Sequence, residues 1–395
     1  MGHHLGSKTS LVPLIDRLNK YPVGLVDSEI LREILSLLFD PQEAYIASQF
    51  PLEEATLEEL VKRTRLPAEE LRPALERMAE KGLVMDLPYG DQSYYLLMPG
   101  LIGFFEFTFM KQRTDLPMQK IAQLMQDYMH QNPRQGMAKE FFGSSTQLTR
   151  SLVYEEHIPV SSQITTYESA REIIQQAGYG ALGMCYCRHK KQHLDQTCSK
   201  EAPMEGSCIS LGAGAKFLVR RGFAEEKSVD ELLAVLERAR ELNLTHVTDN
   251  IRHKPSFICN CCSCCCELLA GVRAGYPDGI AKTPFLAVVD AERCNGCGLC
   301  LNACNVEGIV RQGGGEGKPA PARVEAGICL GCGACVPACK RRALSLQERP
   351  ERPQPPHKRK DLYYRLLKEK GRLRPYMLNQ TVKTLKGLFR RSSEG

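Results

Sequence analysis

Residues 294–304 read CNGCGLCLNAC, and residues 329–339 read CLGCGACVPAC. Both runs set their cysteines at the intervals C-x2-C-x2-C-x3-C, so one motif occurs twice. The chain has 18 cysteines among 395 residues, and all lie between Cys185 and Cys339. Thiols scattered at random would not leave more than half the chain empty, so these belong to dedicated sites. A disulfide framework of that density suits short secreted scaffolds. The stretch MGHHLGSKTSLVPLIDRLNK lacks a basic region followed by an apolar core and a small-residue cleavage site. Metal-bound thiolates are therefore the expectation.

The doubled run resembles the bacterial two-[4Fe-4S] ferredoxins, over residues 281–348. Three closely spaced thiolates in a glycine-bearing loop can wrap three corners of a cubane, and the fourth must come from elsewhere. In ferredoxins of this type the fourth cysteine of each run crosses to the other cluster. The resemblance therefore implies Cys294, Cys297, Cys300 and Cys339 on one cluster, and Cys329, Cys332, Cys335 and Cys304 on the second. Gly296, Gly298, Gly331 and Gly333 would let the backbone curl toward the sulfurs. Asn305 and Lys340 stand where proline is usual after the fourth cysteine, which leaves the ligand count intact. The stretch RQGGGEGKPAPAR between the halves does not meet the phosphate-loop pattern and reads as an extended hairpin loop.

Ten cysteines remain. Cys185, Cys187, Cys198 and Cys208 lie in CYCRHKKQHLDQTCSKEAPMEGSC and suit a single four-thiolate site, for a third iron–sulfur cluster or structural zinc. Cys259, Cys261, Cys262, Cys264, Cys265 and Cys266 form the strip CNCCSCCC. Adjacent cysteines point in diverging directions, so the strip is expected to bridge two metal centres, to wrap a non-cubane cluster, or to keep a free dithiol for exchange. His189, His193, His246 and His253 flank these segments as candidate ligands or proton donors, and Arg188 as a cation beside the thiols.

Outside the cysteines the chain alternates helical and strand patterns. Residues 28–39 carry a helical stripe, Thr56 opens a capping box with Glu59, and 67–82 read as a second helix stopped by Gly82. LVMDLPYGDQSYYLL then reads as two strands around Tyr89–Gly90–Asp91. This order resembles a winged helix-turn-helix domain. Its second helix carries Glu69, Glu70, Glu76 and Glu80 against Arg72, Arg77 and Lys81, with Pro73 inside. A helix entering a phosphate-lined groove should be basic, so partner docking is expected over DNA binding. Residues 116–131, 165–178 and 228–243 read as further helices, the last with a Ser228–Glu231 capping box. GAGAK at 212–216 lacks both the full glycine fingerprint and a preceding strand, which argues against a dinucleotide site.

Net charge divides unevenly. Residues 351–395 hold 13 Lys/Arg against 4 Asp/Glu, and the preceding residues carry a net charge of −3. ERPQPPHKRK reads as a proline-rich basic linker, and 376–391 as a basic amphipathic helix for a membrane surface or an acidic partner. The most apolar run, LLMPGLIGFFEFTFM at 96–110, is broken by Pro99 and Glu106 and is shorter than the roughly 20 residues of a membrane span. The chain reads as soluble and cytoplasmic.

Taken together the chain is similar to a group of bacterial 4Fe-4S dicluster proteins that share a winged-helix-like N-terminal part, a CxCR segment, an NCCxCCC strip and a C-terminal ferredoxin module. The expected fold is α+β and multidomain: a winged-helix-like domain at 1–110, a mixed cysteine-rich domain at 111–280, the two-[4Fe-4S] ferredoxin domain at 281–348, and a basic linker and tail at 349–395. The expected function is iron–sulfur electron transfer. As an oxidoreductase subunit, the chain would pass single low-potential electrons from a redox partner protein through two clusters to the cysteine-rich middle. A redox-sensing winged-helix regulator and an iron–sulfur or metal carrier are the rival readings.

Overall fold

A computed structural model describes residues 11–159, 162, 164–312 and 320–373. The sequence-expected amphipathic helix at 376–391 and most of the loop between the ferredoxin halves lie outside the described residues.

The first unit is built on helices that begin where side chains can cap them. Ser28 accepts from the Leu31 N–H at the start of Glu29–Leu38, and Thr56 forms the capping box of Leu57–Thr64 with Glu59. Ala68–Glu80 follows, and its chain reverses at Gly82, whose φ is +77°. Strands β1 (Ala55–Thr56), β2 (Val84–Tyr89) and β3 (Gln92–Leu97) form an antiparallel sheet in the order β1-β3-β2. One apolar core joins these elements to Met118–His130 and Gly136–Phe142. The packing therefore continues past the expected boundary at residue 110, because Met118, Ile121 and Met125 bury into the same core as Leu31 and Leu35.

The middle of the chain forms a six-stranded antiparallel sheet. Its strands are β4 (Thr149–Ser151), β5 (Gly180–Gly183), β6 (Cys208–Leu211), β7 (Ala224–Lys227), β8 (Thr245–Asp249) and β9 (Phe257–Cys261), in the order β4-β8-β9-β6-β5-β7. Two expectations are corrected here. The helix read at 165–178 spans only Ala170–Ala177, because Glu168 turns away to accept from the Thr165 N–H and to pair with Arg352. A strand does precede GAGAK: β6 ends at Leu211 and the helix Gly212–Arg220 starts at once. Both neighbours of β6 run antiparallel to it, unlike the parallel sheet of a dinucleotide fold.

The last unit pairs β10 (Phe285–Val289) with β13 (Leu344–Glu348), and β11 (Ile309–Arg311) with β12 (Ala322–Val324). The short helix Leu299–Ala303 carries Cys300 and is capped at its end by Cys304. The expected linker after residue 349 is instead a strap packed on the body. Backbone bonds join Arg252 and His253 to Pro356 and His357. The helix Arg359–Glu369 then buries Leu362, Leu366 and Leu367, and Arg359 pairs with the buried Asp249. Among the described residues, no helix is long and apolar enough to cross a membrane.

Candidate metal centres

The ferredoxin thiols lie in two groups. Cys294, Cys297, Cys300 and Cys339 line one cavity together with Gly298 and Ala343. In the second group, burial raises the Cys335 pKa, and its thiol neighbours Cys332, Cys304 and Cys329 raise it further. Backbone N–H groups point at the sulfurs in both groups: Ala322 to Cys294 and Gly331 to Cys329 at 3.4 Å, Gly308 to Cys304 and Ala343 to Cys339 at 3.2 Å. Such donors stabilise sulfur charge and tune cluster potential. Gly331 permits this path, since a Cβ there would meet the Phe285 carbonyl oxygen at 1.9 Å and φ is +71°. These residues fit iron–sulfur clusters in ligand number, in grouping and in the backbone donors that face Cys294, Cys304, Cys329 and Cys339.

The ten remaining thiols do not divide by motif as expected. Cys198 leaves its own segment and joins Cys262, Cys264 and Cys265, with all four sulfurs within 4.8 Å of one another. The other six form a chain of neighbours around a cavity whose wall Cys262 and Cys265 also join. Cys208 and Cys259, directly opposed on β6 and β9, have sulfurs 4.0 Å apart. Cys259 neighbours Cys261, Cys261 neighbours Cys266, and Cys266 neighbours Cys187, which in turn neighbours Cys185. All six line that cavity.

Strand geometry explains the division. Successive side chains of a strand point to opposite faces, so Cys259 and Cys261 share one face, and Cys262 follows the end of the strand, where its sulfur lies 3.6 Å from that of Cys198. Residues 263–265 form a turn, and within it the Cys264 and Cys265 sulfurs converge to 3.6 Å. The expected divergence of adjacent thiols thus does not hold for that pair. Cys266 is the N-cap residue of the helix Glu267–Arg273 and neighbours Cys187 and Cys261.

Arg188 stands in the wall between the two groups. It is buried and donates to Pro203 O, Ser207 Oγ and Asn260 O. Burial works against its charge, but the sulfurs of Cys185, Cys262 and Cys198 outweigh it and raise its pKa. The four flanking histidines are engaged elsewhere. His189 Nδ1 lies 2.8 Å from Phe109 O, and its Nε2 lies 3.1 Å from His193 Nε2. His246 Nδ1 is 2.7 Å from Asn260 Oδ1, and burial pushes its pKa down to about 4. The ring of His253 stacks on that of His357.

Three residues outside the expected site tie the ferredoxin unit to the middle sheet. Asn305 is buried and donates to Asn243 O at 2.7 Å and Thr245 Oγ1 at 3.0 Å, and it accepts from the Ser263 N–H inside the strip. Thr245 Oγ1 in turn lies 3.7 Å from Cys332 Sγ. Lys200 donates to Asn243 O and feels the charges of Cys262, Cys264, Cys332 and Cys304. The sequence signal for Asn305 was its place where proline is usual; proline has no N–H or side-chain amide with which to make this seam.

A second cavity shares Tyr186 and Leu268 with the six-thiol group and is walled by Phe105, Met125 and Phe142. Lys190 and Glu267 pair there at 2.5 Å, and Glu106 lines it. Burial pushes the Glu106 carboxyl up to about 7 although the Gly103 and Ile102 N–H groups work against it.

Compared with known families, residues 293–344 match the family model described as the 4Fe-4S dicluster domain. Comparison with the curated proteins and with the solved structures returns no match. The chain therefore carries a ferredoxin-type iron–sulfur domain whose general chemistry is electron transfer, within a larger body of mixed helix and sheet.

Proposed function

We propose that this protein is an electron-transfer subunit that takes single low-potential electrons onto two [4Fe-4S] clusters and passes them to thiol-bound centres in the middle sheet. Cys294, Cys297, Cys300 and Cys339 would hold one cluster, and Cys304, Cys329, Cys332 and Cys335 the other. When bound, such clusters exchange one electron at a time at low potential. The observation that carries the reading is the seam at Asn305, Thr245 and Lys200, where Cys304 and Cys332 meet the same groups that face Cys262 and Cys264. Short, packed separation between centres is what an electron relay requires.

The six-thiol group has too many converging sulfurs for one tetrahedral ion, which favours a polynuclear centre there. The test is a rapid-freeze experiment on anaerobic protein mixed with a substoichiometric one-electron donor. The spin signal of the ferredoxin clusters should appear first and then decay as the middle centre takes the electron. A ferredoxin signal that persists with no change in the middle would contradict the reading.

The helices 57–64 and 68–80 and the β2–β3 hairpin form, in our reading, a winged-helix-like unit used for docking. Asp86 on β2 pairs with Arg220 and Arg221, and Arg221 also pairs with Glu76 of the second helix. These charges are spent inside the molecule, which disfavours the regulator reading. A salt-dependent gel shift with genomic fragments would reverse that judgement.

A further inference from the structure

The four sulfurs gathered from two distant segments have a spacing that speaks to what they hold. Cys198 lies 3.6 Å from Cys262 and 3.6 Å from Cys264, and Cys264 lies 3.6 Å from Cys265. None of these is a disulfide, whose sulfurs would stand at about 2.05 Å. A tetrahedral ion with metal–sulfur bonds of about 2.3 Å sets its sulfurs roughly 3.8 Å apart along each edge. A cubane places each thiolate on its own iron, so four sulfurs cannot approach this closely around it. The same chain supplies the contrast: among the described residues, no three ferredoxin thiols gather within 4.8 Å.

Charge and hydrogen bonding agree with a closed site. Four thiolates on a divalent ion leave a net charge of −2, and two cations, Arg188 and Lys200, face the group. The backbone N–H groups of Ala202 and Lys200 donate to Cys198, and that of Ser199 donates to Cys264. We propose that Cys198, Cys262, Cys264 and Cys265 bind one tetrahedral thiophilic ion, zinc or ferrous iron, in place of an iron–sulfur cluster. With four protein ligands the site has no open position, the mark of a structural ion. It pins the 263–265 turn to the loop at Cys198 and so directs Cys259, Cys261 and Cys266 to the six-thiol cavity. The inference rests on the local geometry of the strip, and it leaves the six-thiol group as the electron acceptor of the proposed function, with the ion as a structural support beside that path.

X-ray absorption at the zinc edge, on the full anaerobic chain with its iron in place, tests this directly. The expected result is about one zinc per chain with four sulfur neighbours at about 2.3 Å and no neighbouring iron in a sulfide-bridged arrangement. If zinc is absent, Mössbauer spectra should instead contain an isolated, sulfur-ligated ferrous site. Cys264→Ser should lose that one ion while the spin signals of the dithionite-reduced ferredoxin clusters stay unchanged. The proposal is overturned if neither metal is found in such a site, or if Cys264→Ser removes about four irons and four sulfides together. Should that variant not fold, the wild-type absorption and Mössbauer spectra decide by themselves. Absence of the ferredoxin signals would strike the electron-transfer reading and leave this one standing.

Discussion

Asn305 shows how a single residue can be visible in a sequence while its purpose is not. Its departure from proline is plain beside Cys304, but its partners Asn243, Thr245 and Ser263 lie 42 to 62 positions away. Asn305→Ala should leave buried polar groups unpartnered and cost about 1–3 kcal/mol in denaturant titration. Electron passage to the middle should slow while iron content is unchanged. Glu106 is a similar case: its place in an apolar run is legible, whereas its surroundings are not. It sits just after Ile102, which the chain holds at φ +52°, a conformation β-branched residues rarely adopt. Its folded pKa of about 7 lies above the ordinary 4.5. The stability it contributes is therefore fully present below about pH 4.5 and is lost as pH rises through about 7. Glu106→Gln should remove roughly 2 kcal/mol of that pH dependence, discounted for its contact with the cavity, and thermal melts at about pH 5 and pH 8 measure it.

At the scale of elements, helices and turns are legible where local chemistry decides. Capping boxes at Thr56 and Ser228 start helices where the side chains announce them, and the β2–β3 hairpin turns at Gly90–Asp91. Elements are not legible where distant charge decides. Arg352 holds Glu168 out of the helix that begins at Ser169, and Arg359 and Leu366 turn a sequence that reads as linker into a packed strap. Nothing local reveals either partner. Leu366 is fully buried against Ile251 and Leu362. Leu366→Ala should cost about 2–4 kcal/mol in thermal or denaturant unfolding, with metal content per folded chain unchanged. A melt indistinguishable from wild type would mean that the strap contributes nothing to the body. The strip 259–266 lies between these cases: strand alternation predicts that Cys261 and Cys262 part, but the convergence of Cys264 and Cys265 depends on a turn that the thiols do not announce.

For the whole molecule, the tandem motif made the ferredoxin domain legible at once, since its spacing is dictated by the cluster and not by the surrounding fold. The division of the middle thiols into four and six was not legible, because β6 and β9 meet by sheet pairing and the Cys198 loop reaches the strip from more than 60 positions away. The resulting arrangement, which the proposed function reads as a relay, sets one thiol group against the ferredoxin half and the other beside a cavity lined by Glu106 and Lys190. Breaking the pair beneath that cavity should be severe. Lys190→Met leaves Glu267 buried with only His130 beside it and should cost about 3–5 kcal/mol, read by denaturant unfolding. The most direct test of the account is the count of iron, acid-labile sulfide and zinc per chain in anaerobically purified protein. The account predicts clearly more than the about eight irons and eight sulfides of two cubanes, with the excess lost when Cys187 and Cys261 are replaced by serine. About eight of each, unaltered by those replacements, would leave the ferredoxin domain alone and contradict a metal relay through the middle sheet.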